Sequence, residues 1–151
     1  MLKGLDPLLT PDLLQLLAEM GHGEEIVIAD ANFSALSLAQ GKPLLHLPGA
    51  GVERTSQAVL SLLPLDAAVA QPVAFMQVSE YPAGTLSALQ RRMLAWLDQA
   101  GHAKPEQCEA IERFAFYDRV RAAQAIVLTG ELQPYGNFLF KKGVICDALV
   151  P

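Results

Sequence analysis

The sequence predicts a layered α/β fold, and three observations predict it. Short apolar runs alternate along the chain with stretches whose apolar residues recur at helical spacing. The runs Glu25-Ile26-Val27-Ile28-Ala29 and Ala125-Ile126-Val127-Leu128-Thr129 are apolar nearly throughout, as in strands buried on both faces. Capping and stop residues punctuate the helical stretches.

The first helix is the best marked. Thr10 can cap it, Pro11 suits its first turn and Asp12 favours its N-terminal dipole. Leu13, Leu16, Leu17 and Met20 form its apolar stripe, and Gly21 is placed to stop it. A turn containing His22 leads into the run that ends on Asp30. In open α/β sheets ligands gather at the carboxyl ends of strands, where Asp30 falls. Residues 43–51, with Pro43, Pro48, Gly49 and Gly51, are expected to form a loop. Residues 53–63 read as helix, with Ala58, Val59, Leu62 and Leu63 on one face. Pro72 precedes a strand over 73–78. Thr85 is expected to cap a long helix reaching Ala100 and stopped by Gly101, with Leu86, Leu89, Met93, Trp96 and Leu97 as its core stripe. Residues 110–114 read as a short strand, 116–123 as a short helix and 125–129 as a buried strand. Phe138-Leu139-Phe140 and Val144-Ile145-Cys146 complete the expected sheet.

At 151 residues the chain is long enough for one domain with a real core, spanning residues 1–151. It is 52% hydrophobic, with a mean hydropathy of +0.28, yet no uninterrupted apolar run is long enough for a bilayer. The start, Met1-Leu2-Lys3-Gly4-Leu5-Asp6-Pro7, lacks the features of a signal peptide, so a cytoplasmic, soluble protein without a membrane partner is expected. The apolar excess favours burial between subunits and so a homo-oligomer. A net charge of -5 argues against general nucleic-acid binding. Cys108 and Cys146 belong to no CxxC pair and read as structural thiols in a reducing compartment.

The groups able to do chemistry are few. His22 lies between Gly21 and Gly23, which leave its imidazole accessible, and its ordinary pKa suits proton transfer near neutrality. A polar loop histidine is the plain alternative. Asp30 reads either as a ligand-facing carboxylate or as a surface strand end. Arg113 offers a fork of donors for hydroxyls, or a salt bridge to Glu112 or Asp118. Tyr135-Gly136-Asn137 after Pro134 is equally an ordinary turn entering a strand. His46 and His102 have weaker claims. No histidine spacing implies a metal site, and no glycine-rich phosphate loop is present. The set suits acid–base chemistry on a small polar molecule, and a sugar is a good candidate.

Taken in order, several segments resemble the L-fucose mutarotase and D-ribose pyranase family. They are Leu17-Ala18-Glu19-Met20-Gly21-His22-Gly23-Glu24-Glu25, Ala29-Asp30-Ala31-Asn32-Phe33 and Ile111-Glu112-Arg113-Phe114-Ala115-Phe116-Tyr117-Asp118-Arg119, then Thr129-Gly130-Glu131, Tyr135-Gly136-Asn137 and Lys141-Lys142-Gly143-Val144. The resemblance implies a three-layer α/β/α fold with a central mixed sheet. It implies an isomerase that interconverts sugar anomers or ring forms without a cofactor, in a ring-like oligomer, typically a decamer, whose sites neighbouring subunits complete. His22 is then the expected catalytic acid–base residue. Asp30, Arg113, Tyr135, Gly136 and Asn137 are the expected substrate-binding residues, with Asp30 also able to orient His22. The arginine–aromatic stretch and the Tyr-Gly-Asn form look like the fucose branch. Pyranase activity on D-ribose and a non-catalytic monosaccharide-binding protein are the alternatives. One departure stands out: many fucose-branch members carry Arg-Ala-Asp-Gly where this chain has His46-Leu47-Pro48-Gly49.

Overall fold

The computed structural model describes residues 2–146. Its elements in chain order are α1 (Pro11–Glu19), β1 (Glu25–Ala29), α2 (Ala35–Ala39), β2 (Leu44–Leu47), α3 (Val52–Leu60), β3 (Val73–Met76), α4 (Ala88–Gln99), β4 (Cys108–Ile111), α5 (Arg113–Ala122), β5 (Ala125–Thr129) and β6 (Phe138–Lys141). The strands form one six-stranded sheet in the order β2-β5-β1-β6-β3-β4. Its pairings are parallel except where β6 runs antiparallel between β1 and β3. The sheet is mixed, as expected.

Side-chain alternation along β1 divides the core. Ile26 and Ile28 face a cluster built with Leu13, Leu16 and Leu17 of α1, Val52, Ala58 and Val59 of α3, and Leu89, Met93 and Leu97 of α4. Val27 and Ala29 face a second cluster with Ala35, Leu38 and Ala39 of α2 and Phe116 and Val120 of α5. Every residue of β1 is buried; its one charged residue, Glu25, is paired with Arg119, and the other four are apolar.

Several expectations are revised. α1 stops at Glu19 with Met20 as its cap, directly before Gly21 as expected, although the positive φ, +82°, falls at Gly23. The helix is closed from outside, where the Lys142 ammonium reaches the carbonyls of Leu17 and Met20. The expected loop 43–51 contains β2. Its apolar run is too short to announce itself, and it pairs along one side only, with β5. The cap of α4 is Ser87, not Thr85. Its hydroxyl accepts from Gln90 N at 3.1 Å while the Gln90 side chain accepts from Ser87 N at 3.0 Å, a reciprocal capping box. The strand expected at 110–114 lies at Cys108–Ile111, because the Glu112 carboxylate accepts from the Phe114 and Ala115 amides and starts α5 at Arg113. Residues 144–146 form no strand. Among the described residues no helix is long and apolar enough to cross a membrane.

Candidate active site

Asp30 follows β1 directly, at the carboxyl end that β1 shares with β2, β3, β4 and β5. Antiparallel β6 brings its amino end to the same rim, which puts Asn137 beside Asp30. The contact is two-way. The Asp30 amide donates to Asn137 Oδ1 at 3.0 Å, and Asn137 Nδ2 donates to Asp30 Oδ2 at 2.9 Å. Asn32 N donates to Asp30 Oδ1 at 3.0 Å, and the Gly136 amide donates to the same carboxylate. A carboxylate has about four lone-pair sites, so about one stays open for a ligand hydroxyl. Burial pushes the Asp30 carboxyl above its usual range. The hydrogen bonds from Asn32, Asn137 and Gly136 pull the other way, and the negative charge of Glu131 adds to the rise.

Tyr135 occupies the left-handed region at φ +62°, which costs roughly 1–2 kcal/mol for a non-glycine residue. Gln90 of α4, fully buried, holds it there. Its Nε2 donates to the Tyr135 carbonyl at 3.0 Å and to the Met76 carbonyl at 2.8 Å. Gln133 Oε1 accepts from Leu89 N at 2.5 Å. A Cβ on Gly136 would lie 2.8 Å from Leu89 Cδ2, so the glycine lets the loop settle on α4. The first turn of α4 is therefore the bed of the 133–137 loop. Tyr135 also lines an open cleft of about 470 Å³ with Val78, Glu80, Tyr81, Arg91 and Gln133.

Arg113 stands at the same rim, on the first turn of α5. Among the described residues it forms no ion pair. Glu112 caps α5 instead, and Asp118 pairs with Arg121. Its guanidinium lies over the Phe114 ring, 4.9 Å from the centroid. Edge contacts run from Phe114 to Tyr117 at 6.0 Å and on to Phe33 at 5.8 Å, whose amide donates to the Asp30 carbonyl. An aromatic ladder thus joins Arg113 to the Asp30 loop.

His22 does not meet these residues within the chain. Gly23 N donates to the Lys142 carbonyl at 2.8 Å, at the far end of β6 from Asn137. At about 3.4 Å per residue, the extended chain from Asn137 to Lys142 spans roughly 17 Å. The carboxylate beside His22 is Asp66 rather than Asp30, with Nε2 3.1 Å from Oδ1. Asp66, Gln90 and Glu131 were missed in the sequence. Gln90 carried a signal, since Ser87-x-x-Gln90 fits a capping box. Asp66 carried none, and Glu131 stood only within the Thr129-Gly130-Glu131 segment, with no role attached.

His46 is exposed on β2. His102 packs at a tilt against Trp96 with centroids 5.3 Å apart, and burial lowers its pKa. In the 46–49 loop, the Pro48 carbonyl packs against Gly130 so closely that a Cβ there would come within 2.1 Å. Among the described residues no group of three or more His, Cys, Asp or Glu side chains converges to hold a metal ion.

The model of the RbsD / FucU transport protein family matches residues 3–145. The chain belongs to this family. The L-fucose mutarotase of Actinobacillus pleuropneumoniae serotype 5b is 43% identical over 145 residues, covering 95% of this chain and 97% of its own. The fucose mutarotase of Homo sapiens is 43% identical over 147 residues, covering 95% of this chain and 94% of its own. Among solved structures, the fucose mutarotase of Streptococcus pneumoniae in complex with L-fucose superposes with a TM-score of 0.85 at 34% identity, covering 96% of this chain and 100% of that one.

Proposed function

We propose that the protein is an L-fucose mutarotase, an isomerase that interconverts the α and β anomers by opening and reclosing the sugar ring. The observation that carries this reading is its end-to-end similarity to fucose mutarotases, 43% over 145 residues. The rim supports it chemically. Asp30 accepts one sugar hydroxyl through its open lone pair, and Arg113 donates to others. Tyr135 and Gly136 shape the sugar face, and Asn137 holds Asp30. His22 carries a proton to and from the ring oxygen. A positioned acid–base group supplies about 100- to 10,000-fold, enough for a reaction that water already allows.

This assignment requires His22 from a neighbouring subunit. Apolar side chains exposed at both ends of the sheet support such an assembly. Leu36 (83% exposed) and Leu132 (77%) lie toward the Asp30 rim, and Val144 and Ile145 toward His22. Opposite ends that pack on one another make a head-to-tail contact, which forms a ring when the rotation between neighbours closes. The homo-oligomer is taken to be the decamer implied by the family resemblance, in the cytoplasm.

Saturation-transfer NMR on the anomeric protons tests the activity, with L-fucose and D-ribose each measured with and without protein. Faster exchange with L-fucose is expected. Acceleration of D-ribose alone moves the assignment to pyranase activity, and acceleration of neither overturns the enzymatic reading.

A further inference from the structure

We propose that Asp66 is the positioning residue for His22, holding its imidazole with the proton on Nε2 so that Nδ1 is the atom that exchanges a proton with the sugar. The inference rests on the reading of His22 as the proton carrier. The geometry is that of an oriented imidazole. His22 Nε2 lies 3.1 Å from Asp66 Oδ1, with the imidazole 51% exposed and the carboxylate only 5% exposed. A carboxylate only accepts, so this contact demands a proton on Nε2 and leaves Nδ1 as the variable site.

The fold prepares both partners from one place. The Asp66 amide donates to the Lys141 carbonyl at 3.1 Å, and Ala68 N donates to Asp66 Oδ1 at 3.0 Å. On the other side, Gly23 N donates to the Lys142 carbonyl and Lys142 N to the Glu24 carbonyl, each at 2.8 Å. The Glu24 carboxylate accepts from Gly21 N at 2.7 Å, which closes the histidine turn. The adjacent residues Lys141 and Lys142 thus fix the spacing between imidazole and carboxylate. Gly143 lets this arrangement pack, since a Cβ there would lie 2.5 Å from the Leu65 carbonyl. The Ala68 amide, His22 and the Lys141 charge hold the Asp66 carboxyl below its usual range against burial, so it is an anion at neutral pH.

The proton inventory closes. The imidazolium gives its Nδ1 proton to the ring oxygen as the C1–O5 bond breaks with its electron pair on oxygen. The anomeric hydroxyl loses its proton to water as C1=O forms. Reclosure on the other face runs the same steps backward. Asp66 stays ionised throughout and steadies the imidazolium.

The test is long-range ¹H–¹⁵N correlation of the histidine imidazoles in the full chain, beside L-fucose exchange rates. His22→Gln identifies the His22 signals against those of His46 and His102. The wild type is expected in the Nε2–H form. Asp66→Asn is expected to lose that preference and slow exchange by about tenfold or more, part of what a positioned acid–base group supplies. Asp66→Glu, which keeps the carboxylate, is expected to recover most of both. A wild-type imidazole in the Nδ1–H form overturns the proposal even if Asp66→Asn does not fold. So does an Asp66→Asn protein with an altered tautomer and an unchanged rate. If His22→Gln itself exchanges L-fucose at the wild-type rate, the parent reading of His22 fails and Asp66 falls with it. If the wild type accelerates no sugar, the enzymatic reading fails instead.

Discussion

Replacing Asn137 with alanine removes both halves of its contact with residue 30. One is a bond between neutral groups, the Asp30 amide to Oδ1 at 3.0 Å. The other, Nδ2 to Oδ2 at 2.9 Å, ends on a carboxylate. Net contributions of about 1 kcal/mol for the first and about 2 kcal/mol for the second sum to roughly 3 kcal/mol. The site is buried, so water does not readily replace the lost partners, and the Asp30 amide is left orphaned. That is a large share of the about 5–15 kcal/mol that holds a typical domain together. With a urea slope of about 1.5 kcal/mol/M, the unfolding midpoint should fall by roughly 2 M. The pH dependence carries a second signature. Burial sets the folded Asp30 carboxyl above its ordinary value of 3.8, so the folded state binds this proton more tightly than the unfolded chain. Stability contributed by this group is therefore full at low pH and is lost as pH rises from that value through the folded one. Without the Asn137 donor the folded carboxyl rises further, and the decline extends to higher pH. A midpoint shift below about 0.5 M, or an unchanged pH dependence, would refute the reasoning.

Three more outcomes are expected. Gly136→Ala drives a methyl to 2.8 Å from Leu89 Cδ2, and a thermal melt should show a loss of about 1–3 kcal/mol, with slower L-fucose exchange as Tyr135 lifts off α4. Protonation of His102 should quench Trp96, the sole tryptophan, with a fluorescence midpoint below the ordinary histidine value of 6.5. Because that folded pKa is depressed, stability from His102 is present above 6.5 and falls as pH drops through the folded value; a midpoint at or above 6.5 contradicts the packing. Lys142→Met removes the ammonium that closes α1, and urea unfolding should register a loss of about 1.5–3 kcal/mol, the range for bonds to a charged group.

The sequence was most legible where local chemistry decides structure. Thr10 and Pro11 started α1, and unbroken apolar runs placed β1 and β5, because caps and buried strands write themselves into consecutive residues. It was less legible where distant chain decides. Gly21 marked where α1 stops, but Lys142, which closes its carbonyls from more than a hundred residues away, left no local sign. β2 needed β5 to exist before its short run meant anything. Glu112 looked like part of a strand because its capping role shows only when the next two amides turn toward it. At the site, Asp30 and Asn137 were each ambiguous alone, and only antiparallel β6 makes them partners across 107 positions. Asp66 stayed invisible because nothing near it in sequence distinguishes it from a surface turn. The separation of His22 from Asp30 was equally hidden, since a few intervening residues suggest nearness that an extended strand undoes.

β6 has one more consequence. It is four residues long, and each end is committed, one to the Asp30 carboxylate through Asn137 and the other to the histidine turn through Lys142. It works as a gauge block between the chain's two chemical ends, with a length fixed by covalent geometry rather than by packing. A one-residue deletion within it would shorten that gauge by about 3.4 Å and turn its core side chains to the opposite face. Neither end can be retuned by changing the strand's length without disturbing the other, so any retuning of the rim is directed to the loops around it.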